Sequence, residues 1–138
     1  MYSQIFKIQG SNIYDAGKAS TKIKAILKQI GINTLIIRRT AIAAYEAEMN
    51  VVMYAKQAAL IFEVTPSQIN ITIDDEGPGI PDVSLAMQEG YSTATPEMRE
   101  MGFGAGMGLP NIKKNSDYLK VESVVGKGTK VFITININ

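Results

Sequence analysis

The period of the apolar positions changes along the chain, and the changes divide it into elements. Tyr2 to Gln9 alternates between apolar and polar residues, which predicts a strand. From about residue 12 to 30 the apolar set Ile13, Ala16, Ile23, Ile26, Leu27 and Ile30 points to a helix capped by Ser11 or Asn12 and stopped at Gly31. A longer helix is expected from about Leu35 to Lys56, capped by Asn33 or Thr34, with Ile42, Tyr45, Met49, Val52 and Met53 turned inward. The period then falls to two. "ALIFEVT" and "INITIDD" read as strands joined at Pro66 and Ser67, and "LKVESVV" and "TKVFITIN" as a closing pair around Gly126-Lys127-Gly128. Between these pairs, Glu76 to Met107 is rich in glycine and proline, with room for one helical turn near Ser84 to Glu89, and a short helix is expected at Leu109 to Asn115. No repeat or low-complexity linker interrupts the pattern. Residues 1–138 are therefore expected to form one α/β domain, a two-layer α/β sandwich with helices on one face of a mixed, mostly antiparallel sheet.

Composition narrows the chemistry. Fourteen basic and thirteen acidic residues leave a net charge of +1, so the charge carries neither a nucleic-acid footprint nor a polybasic membrane arm. There is no cysteine, which excludes disulfides and thiolate metal sites, and the start MYSQIFKIQG lacks the charged and apolar segments of a secretory signal. A cytoplasmic location is the expectation. There is also no histidine, the commonest general base and metal ligand. Any reaction must use carboxylates, amides and backbone groups.

Three short motifs follow one another along this frame. In "AAYEAEMNVVMYA", Glu46 and Asn50 stand four residues apart and share one helical face. They read as the polar edge of an amphipathic helix, or as a carboxylate base beside an amide oxygen for magnesium, which prefers hard oxygen ligands. Glu48 reads as a solvated neighbour. In "DDEGPGI", Asp75 ends a strand and is followed by Gly77 and Gly79. The stretch is an ordinary turn, or a carboxylate that accepts from the exocyclic amine of a purine while the glycines let a flat ring approach the backbone. In "GFGAGMGLP", Gly102, Gly104, Gly106 and Gly108 alternate and lead into the helix expected near Leu109. Such a run is a flexible structural loop, or a cradle whose N–H groups, with the positive end of the helix, face phosphates. Neither G-x-x-x-x-G-K-[ST] nor an early βαβ dinucleotide fingerprint is present. Arg99 offers a cation to a γ-phosphate or is a solvated arginine, and Lys113 and Lys114 read as a solvated helix face.

Together with "GKGT", these motifs resemble, in their order, the GHKL superfamily of ATP-binding proteins, which includes gyrase, Hsp90, MutL and the histidine kinases. The resemblance runs from about residue 34 to 133. Within it, the chain is similar to the bacterial anti-sigma factor serine kinases and the switch kinases of stress-response partner-switching modules. This resemblance implies the Bergerat ATP-binding fold with ATP and Mg2+ as cofactors. It implies Glu46 as general base, Asn50 as magnesium ligand, Asp75 as reader of the adenine amine, and Gly77 and Gly79 as shapers of its pocket. It further implies that Thr129 helps hold adenine, that Gly102, Gly104, Gly106, Gly108 and Leu109 line the phosphates, and that the stretch from about Gly90 to Met107 is the lid. Tyr45 and Met49 depart from the pattern, standing where many of these kinases carry Ser or Thr and Thr.

The activity so implied is ATP-dependent serine/threonine phosphorylation of a small STAS-type antagonist protein. A sigma factor or a phosphatase is a further partner of this setting, nucleic acid and membrane are not, and a homodimer is left open. The alternative is an ATP-binding anti-sigma factor or regulatory clamp that works by nucleotide-dependent protein binding. Histidine-kinase chemistry on this chain is not expected, because it has no histidine to accept a phosphoryl group.

Overall fold

The computed structural model describes residues 1–88 and 108–137. Strand β1 (Tyr2–Gln9) leads through one turn of 3-10 helix at Ile13–Asp15 into α1 (Lys18–Ile30) and α2 (Thr34–Tyr54). Then come β2 (Gln57–Val64), β3 (Gln68–Asp75), the single turn α3 (Val83–Ala86), α4 (Gly108–Lys114), β4 (Tyr118–Val124) and β5 (Gly128–Asn136). The helix expected over residues 12 to 30 is divided. Ala16 is extended and Gly17 adopts a φ of 93°, a left-handed conformation that breaks a regular helix and that glycine enters without steric cost. The other boundaries follow their signals. Gly31, also left-handed, returns its N–H to the Leu27 and Lys28 carbonyls, and Asn33 accepts the Leu35 N–H at 2.8 Å to cap α2.

All five strands form one sheet in the order β1-β2-β3-β5-β4, with every ladder antiparallel. Period-two alternation puts one side of each strand into the core. Phe6, Leu60, Ile73, Val131 and Val121 make one continuous cross-strand row on the helix-facing side. Helices α1 and α2 lie against that side, and Ile23 and Leu27 of α1 and Val51 of α2 are buried with these rows. The chain is thus a two-layer α/β sandwich with its helices on one face. No helix among the described residues is long and apolar enough to cross a membrane.

The inward face of α2 differs from the one its apolar spacing predicts. Ala43, Ala44, Ala47 and Val51 are buried there, and their small side chains let the helix approach its neighbours closely. Of the expected stripe, Met49 and Val52 are buried, Ile42 and Met53 are partly buried, and Tyr45 remains 42% exposed. A second cover buries part of this outer side. The segment after β1 runs back along the end of α2, with Ser11 donating to the Val52 carbonyl at 2.7 Å and Gly10 to that of Lys56 at 2.8 Å.

Candidate functional site

At one end of the sheet the apolar rows give way to polar residues. The row next to Phe6–Leu60–Ile73 begins with Ile8 and Ala58, continues to Asp75 at the end of β3, and passes to Thr129 and Ser123. Alternation separates the two neighbouring aspartates. Asp74 turns outward, 3.8 Å from Lys130, whereas Asp75 turns toward the helices and is half-buried. Its Oδ1 accepts the Thr129 N–H at 3.0 Å, and the Gly77 N–H also favours the ionised carboxylate. Burial raises the Asp75 pKa, and these backbone bonds oppose the shift without cancelling it.

Two glycines bring the walls of this pocket together. A Cβ on Gly79, whose φ is 78°, would lie 2.5 Å from the Val124 carbonyl oxygen. One on Gly128 would lie 2.0 Å from that of Asp75. Any side chain at either place would push the loop after β3 away from the β4–β5 turn. A Cβ on Gly77 would meet the Asp75 Oδ1 at 3.1 Å and the Ala55 Cβ at 3.3 Å, so the Asp75 loop lies beside the end of α2. That adjacency is closed by backbone bonds from Lys56 N–H to the Glu76 carbonyl and from Glu76 N–H to the Gln57 carbonyl, both 2.9 Å.

Glu46 and Asn50 extend the site along α2, away from Asp75. Both are half-buried on the side of α2 that meets α4. A Cβ on Gly108 would lie 3.1 Å from Asn50 Oδ1, so that amide faces the first residue of α4. Asn111, one turn into α4, donates to Glu46 Oε1 at 3.5 Å. Burial raises the Glu46 pKa, and the long Asn111 bond pulls it back only in part. From Glu46 to Ala55 the helix rises ~14 Å, so a half-buried carboxyl, an amide oxygen and the half-buried Asp75 carboxyl stand in sequence along one edge of the fold.

The structure brings together Glu46, Asn50, Asp75, Gly77, Gly79, Gly108 and Thr129. Leu109 is different, because its side chain is buried in the hydrophobic core and only its backbone is left for a ligand. Gly102, Gly104, Gly106, Arg99 and the lid expected from Gly90 to Met107 lie outside the described residues.

Two residues of structural weight escape the motif reading. Ser123 accepts the Ile80 N–H at 2.7 Å and stands 2.9 Å from the Thr129 hydroxyl, tying the Asp75 loop to the last hairpin. A serine within a strand pattern carries no signature of such a role. Glu48, expected to be solvated, is only 2% exposed. It crosses to the start of α1 and accepts the N–H groups of Gly17, Ala19 and Ser20 at 3.0, 3.2 and 3.1 Å. Those donors have no partner inside α1, and the positive end of the helix favours an anion there.

The residues present fit a nucleotide with a magnesium ion. The Asn50 amide oxygen, half-buried beside the glycine that opens α4, is a hard oxygen donor of the kind magnesium takes. No group of three or more His, Cys, Asp or Glu gathers to hold a metal among the described residues.

Residues 18–138 match the family described as histidine kinase-, DNA gyrase B-, and HSP90-like ATPase. The chain is 31% identical over 110 residues to the serine/threonine-protein kinase RsbT of Bacillus subtilis, covering 77% of each protein. It is 33% identical over 121 residues to an anti-sigma F factor of Caldanaerobacter subterraneus, covering 84% of this chain and 81% of the relative. Among solved structures, the RsbU and RsbW domains of a Mycobacterium tuberculosis protein superpose with a TM-score of 0.64 at 12% identity, over 98% of this chain and 32% of that one. The mycobacterial sensor histidine kinase MprB gives 0.57 at 15% identity, over 98% and 97%.

Proposed function

The chain belongs to the histidine kinase-, DNA gyrase B-, and HSP90-like ATPase family, and from that premise we propose that it is an ATP-dependent serine/threonine protein kinase of a bacterial partner-switching module. Its substrate in this reading is a small antagonist protein with a STAS-type fold. The observation that carries the reading is the row along α2 and the sheet end. A half-buried Glu46, Asn50 facing Gly108, and Asp75 bonded to Thr129 follow one another over roughly the length of an extended nucleoside triphosphate. The name of one relative, a serine/threonine-protein kinase, points the same way.

In this reading Asp75 accepts from the adenine amine, and Gly79 and Gly128 keep the ring against backbone. Asn50 would supply an oxygen to magnesium, an ion that when bound would offset phosphate charge. Glu46 accepts the proton of the acceptor hydroxyl as that oxygen bonds to the γ-phosphorus, the bond from the γ-phosphorus to the β–γ bridging oxygen breaks, and ADP leaves. Its raised pKa brings it closer to the operating pH than an ordinary glutamate, and the Asn111 bond sets the direction of its carboxyl.

A second reading, an anti-sigma factor or clamp whose ATP only sets the shape offered to a partner, is favoured by the anti-sigma relative. The two are separated by incubating the purified chain with γ-labelled Mg-ATP and the STAS-type proteins encoded beside it. Label on a serine or threonine of one of them supports the kinase. Stable nucleotide-dependent complexes without label support the clamp.

A further inference from the structure

The outward side of α2 carries a mostly apolar stripe, and the chain covers only half of it. Leu35, Arg38, Ile42, Tyr45 and Met49 are spaced by three and four residues, so they share one face, between Glu48 on the α1 side and Glu46 on the α4 side. The segment after β1 crosses the C-terminal part of this stripe. Ser11 donates to the Val52 carbonyl at 2.7 Å, Gly17 donates to Glu48 at 3.0 Å, and Met49 is 3% exposed. The cover stops at the Tyr45 ring, beside Gly17. Beyond it Leu35 is 69% exposed, Arg38 and Tyr45 are exposed, and Ile42 is half-buried.

The charge of the chain is divided along the same boundary. Residues 16–45, which hold α1 and the open half of α2, contain the basic residues Lys18, Lys22, Lys24, Lys28, Arg38 and Arg39 and no acidic one, whereas the rest of the chain holds eight basic and thirteen acidic residues. Lys18 pairs with Asp15 and Arg39 with Asp117. Lys22, Lys24, Lys28 and Arg38 are exposed and form no ion pair among the described residues. From a distance the two signs nearly cancel to the net +1, but within about one Debye length of the helices, ~8 Å, they do not.

The open stripe leads to Glu46. Ile42 lies one turn before it on α2, while Asn50 and then the Asp75 loop lie beyond it in the other direction. In the kinase reading the triphosphate reaches Glu46 from the Asn50 side, and in-line transfer brings the acceptor oxygen from the opposite side, that of Ile42. We infer that the open half of α2, with the unpaired cations around it, is the docking surface for the protein substrate, which meets it with apolar and acidic side chains. The inference rests on the kinase reading and deepens it. Tyrosine and arginine are the side chains that most often dominate a protein interface, and charge complementarity fixes its register. An anionic membrane or a nucleic acid would also meet the cations, but neither brings a serine or threonine hydroxyl to the carboxyl at which the stripe ends.

The test uses the full chain and the STAS-type proteins encoded beside it. Two quantities are measured for the parent chain, Arg38→Glu, Arg38→Lys, Leu35→Asn and Lys7→Glu: the dissociation constant of the complex with a non-hydrolysable Mg-ATP analogue present, and KM and kcat for phosphoryl transfer. Arg38→Glu and Leu35→Asn are each expected to raise the dissociation constant and KM about tenfold, with kcat and ATP affinity within about twofold of the parent. Arg38→Lys, which keeps the charge, is expected to stay within about threefold. Lys7 is exposed on β1 on the side of the sheet away from the helices, so Lys7→Glu makes the same change in net charge and is expected to leave both constants unaltered. Should one of the two α2 variants not fold, the other decides alone. Unchanged constants in Arg38→Glu and Leu35→Asn, or an equal rise in Lys7→Glu, overturn the inference and leave the kinase reading intact. Unchanged constants together with binding to phosphatidylglycerol vesicles that Arg38→Glu abolishes overturn it in favour of a membrane. Complexes weakened as expected, without transfer by the parent chain, contradict the kinase reading while the assigned surface stands. Neither complex nor transfer overturns both.

Discussion

Glu46 loses more by burial than Asn111 returns to it, and the balance has a consequence for stability. Its pKa in the folded chain is raised above the ordinary value of 4.5, with burial the larger cause and the Asn111 bond opposing it. A carboxyl with a raised folded-state pKa contributes most to stability below its unfolded pKa, and that contribution is lost as pH rises through the folded value. Above its folded-state pKa the Glu46 carboxylate is therefore ionised at a cost. Glu46→Gln is expected to unfold at a higher temperature than the parent chain at pH 7, and the difference is expected to shrink as the pH is lowered toward 4.5. Thermal unfolding at the two pH values checks this. The same carboxyl that the kinase reading uses as a base is thus one the fold would be more stable without, the trade expected of a reactive group.

The best-defined tertiary polar contact at the scale of elements is the cap that α2 places on α1. Glu48 is buried and accepts three N–H groups at the start of α1, so its loss leaves three donors without partners in a place water reaches poorly. Glu48→Ala is expected to lower the unfolding free energy by ~2–4 kcal/mol, and Glu48→Gln, which keeps one acceptor oxygen, by less. Urea denaturation monitored by circular dichroism gives the values, with an unchanged m-value as the sign that only the native contact is altered. This cap also shows what the sequence could not display. Helix stops at Gly31 and starts at Asn33 are local signals and were legible, as were the strand pairs, because alternation is written in consecutive residues. The partners of Glu48 lie 28 to 31 residues upstream, and nothing in "EAEMN" distinguishes a solvated glutamate from one that crosses to another helix. Tyr45 is the converse case. It fits the apolar spacing of α2, yet the sheet takes the small residues Ala43, Ala44 and Ala47, whose closer approach leaves the tyrosine ring outside beside Gly17. Asp75 was legible as the end of a strand followed by glycines and Thr129 only through the family resemblance, whereas Ser123 acquires its role only when β4 meets the loop after β3.

Across the whole molecule, one edge of a small antiparallel sheet and the flank of one long helix converge on a site that no single element could build. Asp75 comes from β3, Thr129 from β5, Ser123 from β4, and Glu46 and Asn50 from α2, with Gly108 of α4 closing against the amide. With a net charge of +1, the chain has little long-range field with which to attract a partner. The central claim is that Glu46 takes the proton of the acceptor hydroxyl while the remaining groups hold Mg-ATP. The most direct measurement is single-turnover transfer of labelled γ-phosphate to the STAS-type partner by the parent chain and by Glu46→Gln, with the ATP affinity of both determined in parallel. The account predicts that Glu46→Gln binds Mg-ATP within about twofold of the parent while transfer falls by a factor on the order of 100 to 10,000, the range for loss of a general base. Transfer at the parental rate with the same ATP affinity would contradict it.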